Sequence, residues 1–255
     1  MTRNITGAEY VQAITAKESD RGAREAFQQL VLRTATPGAA VFDFGAGPGI
    51  DARFYAERGF EVTAYDIDPA MCDFFAGHCR DLIEAGRVTL GRGGYPEFLA
   101  GDTAVGHRPA DLVTSDFAPL SLVSDLHALF ARFHALTSGN GQVLASVINP
   151  YFRSDLKYGW WWKNAARLWR DGRYSVPGVQ APIMRRRLSD FAAQSAPYFT
   201  LERVYRGAPS QPGRDMDGID VSRGTGLAWT RLTGCQFLFL LFRKDSSRAP
   251  GKSAQ

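Results

Sequence analysis

An α/β fold, with a mostly parallel, doubly wound sheet between two layers of helices, is predicted by three features of this 255-residue chain. Short apolar runs alternate with helix-period segments from residue 40 to residue 148. A glycine-rich turn, Gly45-Ala46-Gly47-Pro48-Gly49, follows the first run. Asp66 closes the second. Strands alternating with helices of roughly 10–15 residues imply right-handed βαβ crossovers and hence parallel pairing.

The elements follow in order. The first 35 residues read as helical, with Ala23, Phe27, Leu30 and Val31 on one apolar face. Thr36-Pro37-Gly38 breaks that pattern, and Ala40 to Phe44 reads as a buried strand. After the glycine turn a helix runs to about Arg58 and stops at Gly59. Phe60 to Asp66 is the second strand. Asp68-Pro69, an N-cap followed by proline at the first helical position, opens a helix expected to continue through Ile83. Arg87 to Leu90 and Asp111 to Phe117 read as the third and fourth strands. Leu122, Leu126, Leu129, Phe130 and Phe133 stripe the next helix, ended by Ser138-Gly139-Asn140-Gly141. Gln142 to Ile148 is the fifth strand.

Beyond Pro150 the pattern changes. Residues 151–197 are basic and aromatic and show no convincing strand. Phe199 to Tyr205 and Gln236 to Phe242 read as strands, separated by a Gly/Pro-rich loop over 207–234. The chain thus reads as one domain over 1–255: N-terminal helices (1–35), a ligand-binding core (40–150), a Trp/Arg-rich helical insertion or lid after the fifth strand (151–197), C-terminal strands (198–243) and a polar, disordered tail (244–255).

With 45% hydrophobic and 22% charged residues, the composition is that of a soluble globular protein. The six-residue run Phe237 to Phe242 is too short to cross a bilayer, and the first residues lack the apolar core of a secretion signal, so the cytoplasm is the expected compartment. Cys72, Cys79 and Cys235 follow neither metal nor disulfide spacing, and no metal site is expected. The net charge of +4 is uneven. Residues 151–190 hold nine Lys and Arg against three Asp, so any attraction to an anionic partner belongs to that segment.

The chemistry is carried by Val41-Phe42-Asp43-Phe44-Gly45-Ala46-Gly47-Pro48-Gly49 together with Asp66. Missing β-carbons let backbone N–H groups approach a ligand. Asp66, at the end of the adjacent strand, lies beside the same crevice, where a carboxylate accepts the two hydroxyls of a ribose. Ile50 occupies the last glycine position of a strict dinucleotide fingerprint, so NAD is disfavoured. Asp43 would repel a pyrophosphate and suits a ligand with a cationic end.

Asp43 to Gly49 resembles motif I of the class I S-adenosylmethionine-dependent methyltransferases, and Asp66-Ile67-Asp68 resembles the acidic loop after their second strand. The resemblance covers roughly residues 8–150, with a weaker match at the last two strands. It implies a seven-stranded Rossmann-like sheet whose last strand is antiparallel, inserted between the fifth and sixth. It also implies that Gly45, Ala46, Gly47, Gly49 and Ser115 line the cofactor, that Asp43 holds its ammonium group, Asp66 its ribose, and that Ile67 covers one face of its adenine. The sequence departs from the family in two places. Gly91-Arg92-Gly93-Gly94-Tyr95 lacks the acidic residue that often follows the third strand. Ser115-Asp116-Phe117-Ala118-Pro119 replaces the Asn/Asp-Pro-Pro-aromatic tetrad of amino-methylating nucleic-acid enzymes.

The resemblance implies methyl transfer, the missing tetrad favours a small-molecule acceptor over a nucleic acid, and the Trp-rich basic segment gives that acceptor an amphipathic or anionic character. Asp116 and His127 are the candidate bases, each weighed against a structural role. Trp160-Trp161-Trp162 and Trp169 with Lys163, Arg167 and Arg170 admit three readings. One is a helix packed on the core; another is a lid in which Trp161, Trp162 and Arg167 hold substrate; the third is a basic amphipathic helix (157–173) resting on a membrane surface. Rival functions are a nucleic-acid or protein methyltransferase docked through 151–190, a non-catalytic cofactor-binding module and an NAD-dependent oxidoreductase. His78 and His134 read as edge residues, Cys72 and Cys79 as small core residues, and the acidic run at 215–220 as unlike a calcium loop.

Overall fold

The computed structural model describes residues 17–103, 105, 108–178, 182–207, 218–224 and 232–245. The helix α1 spans Glu18–Thr34 and buries Ala23, Phe27, Leu30 and Val31, the predicted face. Residues 1–16 of the predicted helical segment, most of the 207–234 loop and the tail beyond 245 lie outside the described residues.

The core alternates strand and helix: β1 (Ala40–Phe44), α2 (Ile50–Glu57), β2 (Glu61–Asp66), α3 (Pro69–His78), α4 (Arg80–Glu84), β3 (Val88–Arg92), α5 (Tyr95–Ala100), β4 (Ala110–Ser115), α6 (Leu126–Leu136) and β5 (Thr137–Ile148). An insertion follows, with α7 (Gly159–Asp171), β6 (Arg173–Val176), β7 (Ile183–Arg186) and α8 (Leu188–Ser195). The chain then returns to the sheet through β8 (Phe199–Gly207), β9 (Ile219–Asp220) and β10 (Phe237–Lys244).

The strand order is β3-β2-β1-β4-β5-β10-β8-β9. The strands β3, β2, β1, β4 and β5 pair in parallel, whereas β10 runs antiparallel to both β5 and β8. The predicted seven-stranded order is therefore present, with the two-residue β9 added at the edge beside β8. All five residues of β1 are buried because helices cover both faces. One core packs Phe27, Tyr55, Phe75 and Leu82 from α1 to α4 against the sheet. The other packs Phe98, Leu129, Phe130, Phe133 and Phe191 from α5, α6 and α8.

Several boundaries differ from the sequence reading. The helix opened by Asp68 is capped as predicted, with the Asp68 carboxylate accepting from Ala70 N at 2.9 Å, but it breaks at Cys79. That buried thiol packs beneath Gly49, and α4 starts anew. Leu122 is excluded from α6 because Pro119–Ser121 forms a 3₁₀ turn and Asp125 caps the helix, accepting from Ala128 N at 3.0 Å. The segment Thr137–Gly141, predicted as a stop, extends β5. The last strand continues to Lys244, whose ammonium group donates to the carbonyls of His134 and Thr137, so the polar tail begins later than expected.

The largest correction concerns 151–197, which holds a β-hairpin, β6 with β7. Its four-residue strands carry Arg173, Arg185 and Arg186, and that charge masked them. Arg186 is nonetheless fully buried: it donates to Asp190 Oδ2 at 2.8 Å and to the carbonyls of Val123 and Ser124 at 2.9 and 3.0 Å. Cys72, Cys79 and Cys235 are buried, and none of them forms a disulfide.

Candidate cofactor and acceptor site

The site lies where the C-terminal ends of β1, β2 and β4 meet, on the side where a parallel sheet opens its crevice. Asp43, one residue before the end of β1, is 2% exposed, and its Oδ1 accepts from Thr114 Oγ1 of β4 at 2.9 Å. Its Oδ2 is buried without a hydrogen-bond partner among the described residues. Burial first, and the Asp51 carboxylate second, push the Asp43 carboxyl up to about 7, against the opposing pull of Thr114 and Arg24.

The glycine turn is needed for packing as well as for access. A β-carbon on Gly45 would stand 2.6 Å from Pro119 Cγ, and one on Gly49 2.6 Å from Phe75 Cδ2. Gly47 differs: at φ +52° its missing β-carbon faces open space, and its N–H donates to Asp66 Oδ2 at 2.7 Å. The other carboxylate oxygen of Asp66 accepts from Asp68 N at 2.9 Å, so one side chain ties the first loop to the second. Burial raises the Asp66 carboxyl while these backbone donors lower it. Ile67, the next residue, leaves its side chain 60% exposed at the rim. Beyond β3, where an acid is missing, the Tyr65 hydroxyl donates to the carbonyls of Gly93 and Gly94 at 3.1 and 3.0 Å.

After β4 the chain turns through two consecutive non-glycine residues with left-handed backbone, Phe117 (φ 57°) and Ala118 (φ 65°). Such a pair is uncommon and marks a backbone held by its surroundings. The turn buries Ser115 and Asp116. Asp116 Oδ1 accepts from Phe117 N at 2.8 Å, while Asp116 Oδ2 and Ser115 Oγ lack partners among the described residues. Burial, reinforced by Asp51, pushes the Asp116 carboxyl well above the usual carboxylate range.

Three site residues escaped the sequence reading. Asp51, in the first turn of α2, is buried, pairs with the Arg24 guanidinium of α1 and accepts from Gln28 Nε2 at 2.7 Å. Arg24 also lies over the Phe117 ring, 4.4 Å from its centroid. The available signal was Arg24 and Gln28, four residues apart beside an apolar helical face. Asp43, Asp51 and Asp116 interact electrostatically with one another, and Arg24 is the cation acting on both Asp43 and Asp116. Three buried carboxyl groups share one guanidinium, so full ionisation of the cluster needs further positive charge, which suits a ligand whose nearest groups are cationic. An ammonium and a sulfonium on one molecule meet that requirement, the glycine turn leaves room for its chain, and the Asp66 carboxylate stands at the end of the adjacent strand. The residues fit S-adenosylmethionine.

The remaining predicted site residues divide. Trp161, half-buried, donates from Nε1 to the carbonyl of Pro150 at 2.8 Å, which holds α7 at the C-terminal end of β5. Arg185 fastens the hairpin there too, donating to the Asn149 carbonyl at 2.9 Å and pairing with Asp155. Trp162 and Arg167 instead stand on the outer surface of α7. His127 is not brought to the crevice. It is exposed on the outer side of α6, its ring 5.2 Å from that of Tyr198. Tyr198 precedes Phe199, which pairs with Lys244 at the end of the sheet remote from the glycine turn.

Comparison with known proteins places this geometry. Residues 18–177 match the model of a methyltransferase domain family. The chain is similar to a malonyl-[acyl-carrier protein] O-methyltransferase of Serratia marcescens, with 29% identity over 152 residues, covering 58% of this chain and 52% of that one. It is also similar to a ribosomal protein L11 methyltransferase of Pelotomaculum thermopropionicum, with 35% identity over 94 residues, 36% of this chain and 30% of that one. The matches thus span about half of the first relative and a third of the second. Among solved structures, a Burkholderia thailandensis 1,6-didemethyltoxoflavin-N1-methyltransferase, with S-adenosylhomocysteine bound, shares the fold at a TM-score of 0.58 and 18% identity, covering 93% of this chain and 86% of that one. With the family model spanning more than half its length, the chain belongs to the S-adenosylmethionine-dependent methyltransferase domain family.

Proposed function

We propose that this protein transfers a methyl group from S-adenosylmethionine to a small amphipathic or anionic acceptor. The observation that carries the reading is the buried acidic cluster beside the glycine turn, with unpartnered oxygens on Asp43 and Asp116. When bound, the sulfonium supplies an already activated methyl group, so the protein's task is alignment and exclusion of water. Asp43 holds the ammonium end against Gly45 to Gly49, Asp66 takes the ribose hydroxyls, and Ile67 covers the adenine. Ser115 and Asp116 line the place where acceptor and methyl meet. Asp116, whose burial makes it an unusually strong base for a carboxylate, takes the acceptor's proton when the acceptor is a hydroxyl or an acidic carbon. Trp161 walls the acceptor side at the end of β5.

A small acceptor is supported by the residues after β4, which lack the nucleic-acid tetrad, and by the likeness to an enzyme named for malonyl-[acyl-carrier protein]. Calorimetry with S-adenosylhomocysteine and NAD tests the cofactor: the former binds, and NAD binds more weakly or not at all. Asp66→Ala weakens the former by about 1.5–3 kcal/mol, the scale of hydrogen bonds to a charged group. Release of S-adenosylhomocysteine on adding malonyl thioesters or N-heteroaromatics reads turnover. Trp161→Ala then raises the acceptor's KM with cofactor affinity unchanged. Equal or tighter binding of NAD ends the reading. Docking of RNA that weakens steeply with salt, together with methylation of it, replaces the acceptor class.

A further inference from the structure

The insertion's positive charge is not spread evenly once its structure is known. Arg185 and Arg186 are consumed internally, by Asp155 and by Asp190. Of the exposed cations in this segment, Lys163, Arg167 and Arg170 lie on α7 and Lys157 and Arg173 within two residues of its ends, while Arg153 stands apart; Asp171 is paired to Arg170. At 100° per residue, α7 presents three stripes. Leu168 and the half-buried Trp161 seat the helix. Trp162, Ala166 and Trp169 form a second stripe, and Lys163, Arg167 and Arg170 a third beside it. Trp162 and Trp169 are 63% and 79% exposed, and Tyr158 adds a further exposed ring at the helix start. Seven residues apart, the two indoles project in the same direction about 10 Å from each other along the axis.

Trp162 donates from Nε1 to the Leu156 carbonyl at 2.8 Å, which fixes its ring, yet most of both indoles stays in solvent, and their grouping marks a contact surface. The stripe is convex, so it suits a soft medium into which indoles insert, and it forms no groove in which bases or a peptide would lie. Indoles favour the boundary between water and acyl chains, and flanking Lys and Arg side chains reach back to anionic phosphates. We propose that α7 rests on an anionic lipid surface, with Trp162 and Trp169 inserted among the headgroups and Lys163, Arg167 and Arg170 on their phosphates. Trp161 ties the same helix to the end of β5, so the crevice mouth is held close to the lipid and the acceptor arrives from it. The last step rests on the methyl-transfer reading; the docking itself does not.

The test uses the full chain with vesicles of phosphatidylglycerol and phosphatidylcholine in equal parts, against phosphatidylcholine alone. Expected are co-sedimentation with the anionic vesicles only, a blue shift of tryptophan emission, and at least a tenfold loss of partitioning in Trp162→Ser/Trp169→Ser and in Lys163→Glu/Arg167→Glu/Arg170→Glu. Melting temperature and S-adenosylhomocysteine affinity remain as in the parent, which shows that the variants are folded. The proposal is overturned if the parent ignores anionic vesicles, or if the tryptophan variant partitions like the parent. It is equally overturned if the parent ignores vesicles but binds RNA or an acidic protein through α7. Loss of S-adenosylhomocysteine binding in the parent would instead remove the methyl-transfer reading and leave the lipid contact standing.

Discussion

Asp43 joins two demands that pull in opposite directions. Without a cation beside it, a carboxyl raised to about 7 favours its protonated form. Its folded value lies above the ordinary 3.8, so the stability it contributes is full below about pH 4 and is lost as pH rises through 7. The ligand-free protein should therefore melt several degrees lower at pH 8 than at pH 5, with Asp43→Asn flattening part of that slope. An ammonium group needs the ionised form, so S-adenosylhomocysteine affinity should rise several-fold from pH 6 to 7.5, below the range of about 8 in which an α-amino group itself titrates. Calorimetry at four pH values checks this, and a flat profile places the ammonium elsewhere. In Asp43→Asn the rise disappears and affinity falls by about 1.5–3 kcal/mol. At this scale the sequence was legible for the placement of Asp43, Gly47 and Asp66 around one crevice, which follows from spacing within one βαβ unit. Asp51 and Arg24 were not, since their pairing crosses 27 positions and depends on how α1 lies over α2. His127 misled for a related reason: a helix position beside an apolar stripe does not say which end of the sheet the ring reaches.

Among the elements, the insertion is held by buried polar contacts more than by a core of its own. Leu168 is the one buried residue of α7, and Arg186 anchors the hairpin to the loop after β4. Arg186→Ala strands Asp190 and two carbonyls, and breaking such a buried pair costs about 3–5 kcal/mol. Denaturant titration reads the loss, and a change below about 1 kcal/mol would show that the hairpin is held another way. Since Val123 and Ser124 follow the strained turn at 117–118, the same variant should loosen Asp116 and lower turnover more than cofactor affinity. Parallel strands were readable because both their faces are buried and they appear as apolar runs. The hairpin was not, because four-residue strands rich in arginine carry no alternation long enough to register. The Trp-rich helix was legible as amphipathic, yet only the fold shows that part of its aromatic face stays in solvent.

Across the whole molecule the doubly wound order could be foreseen from strand–helix alternation, and the antiparallel strand from the family resemblance alone, because no local signal tells a six-residue apolar run which way to point. That strand has a temporal consequence. Its residues pair with β5 on one side and β8 on the other, so it supplies the bridge between the parallel half of the sheet and the edge strands. Yet Phe237–Lys244 leaves the ribosome after every other described strand of the sheet. Residues 40–148 contain every partner that the five parallel strands need among themselves, β1 with β4 included, while β8 must wait with its apolar residues uncovered. A nascent chain arrested before Phe237 should expose the unpaired edge of β5, bind hydrophobic-patch chaperones and resist protease only within its first 150 residues. Extending the arrest point past Lys244 should close the sheet in one step. Pulse proteolysis of ribosome-bound chains of increasing length reads that transition, and gradual protection in place of a step would mean that β8 finds another partner. The crevice is drawn from the half made early, so the emerging chain acquires its cofactor cradle before it acquires a finished sheet.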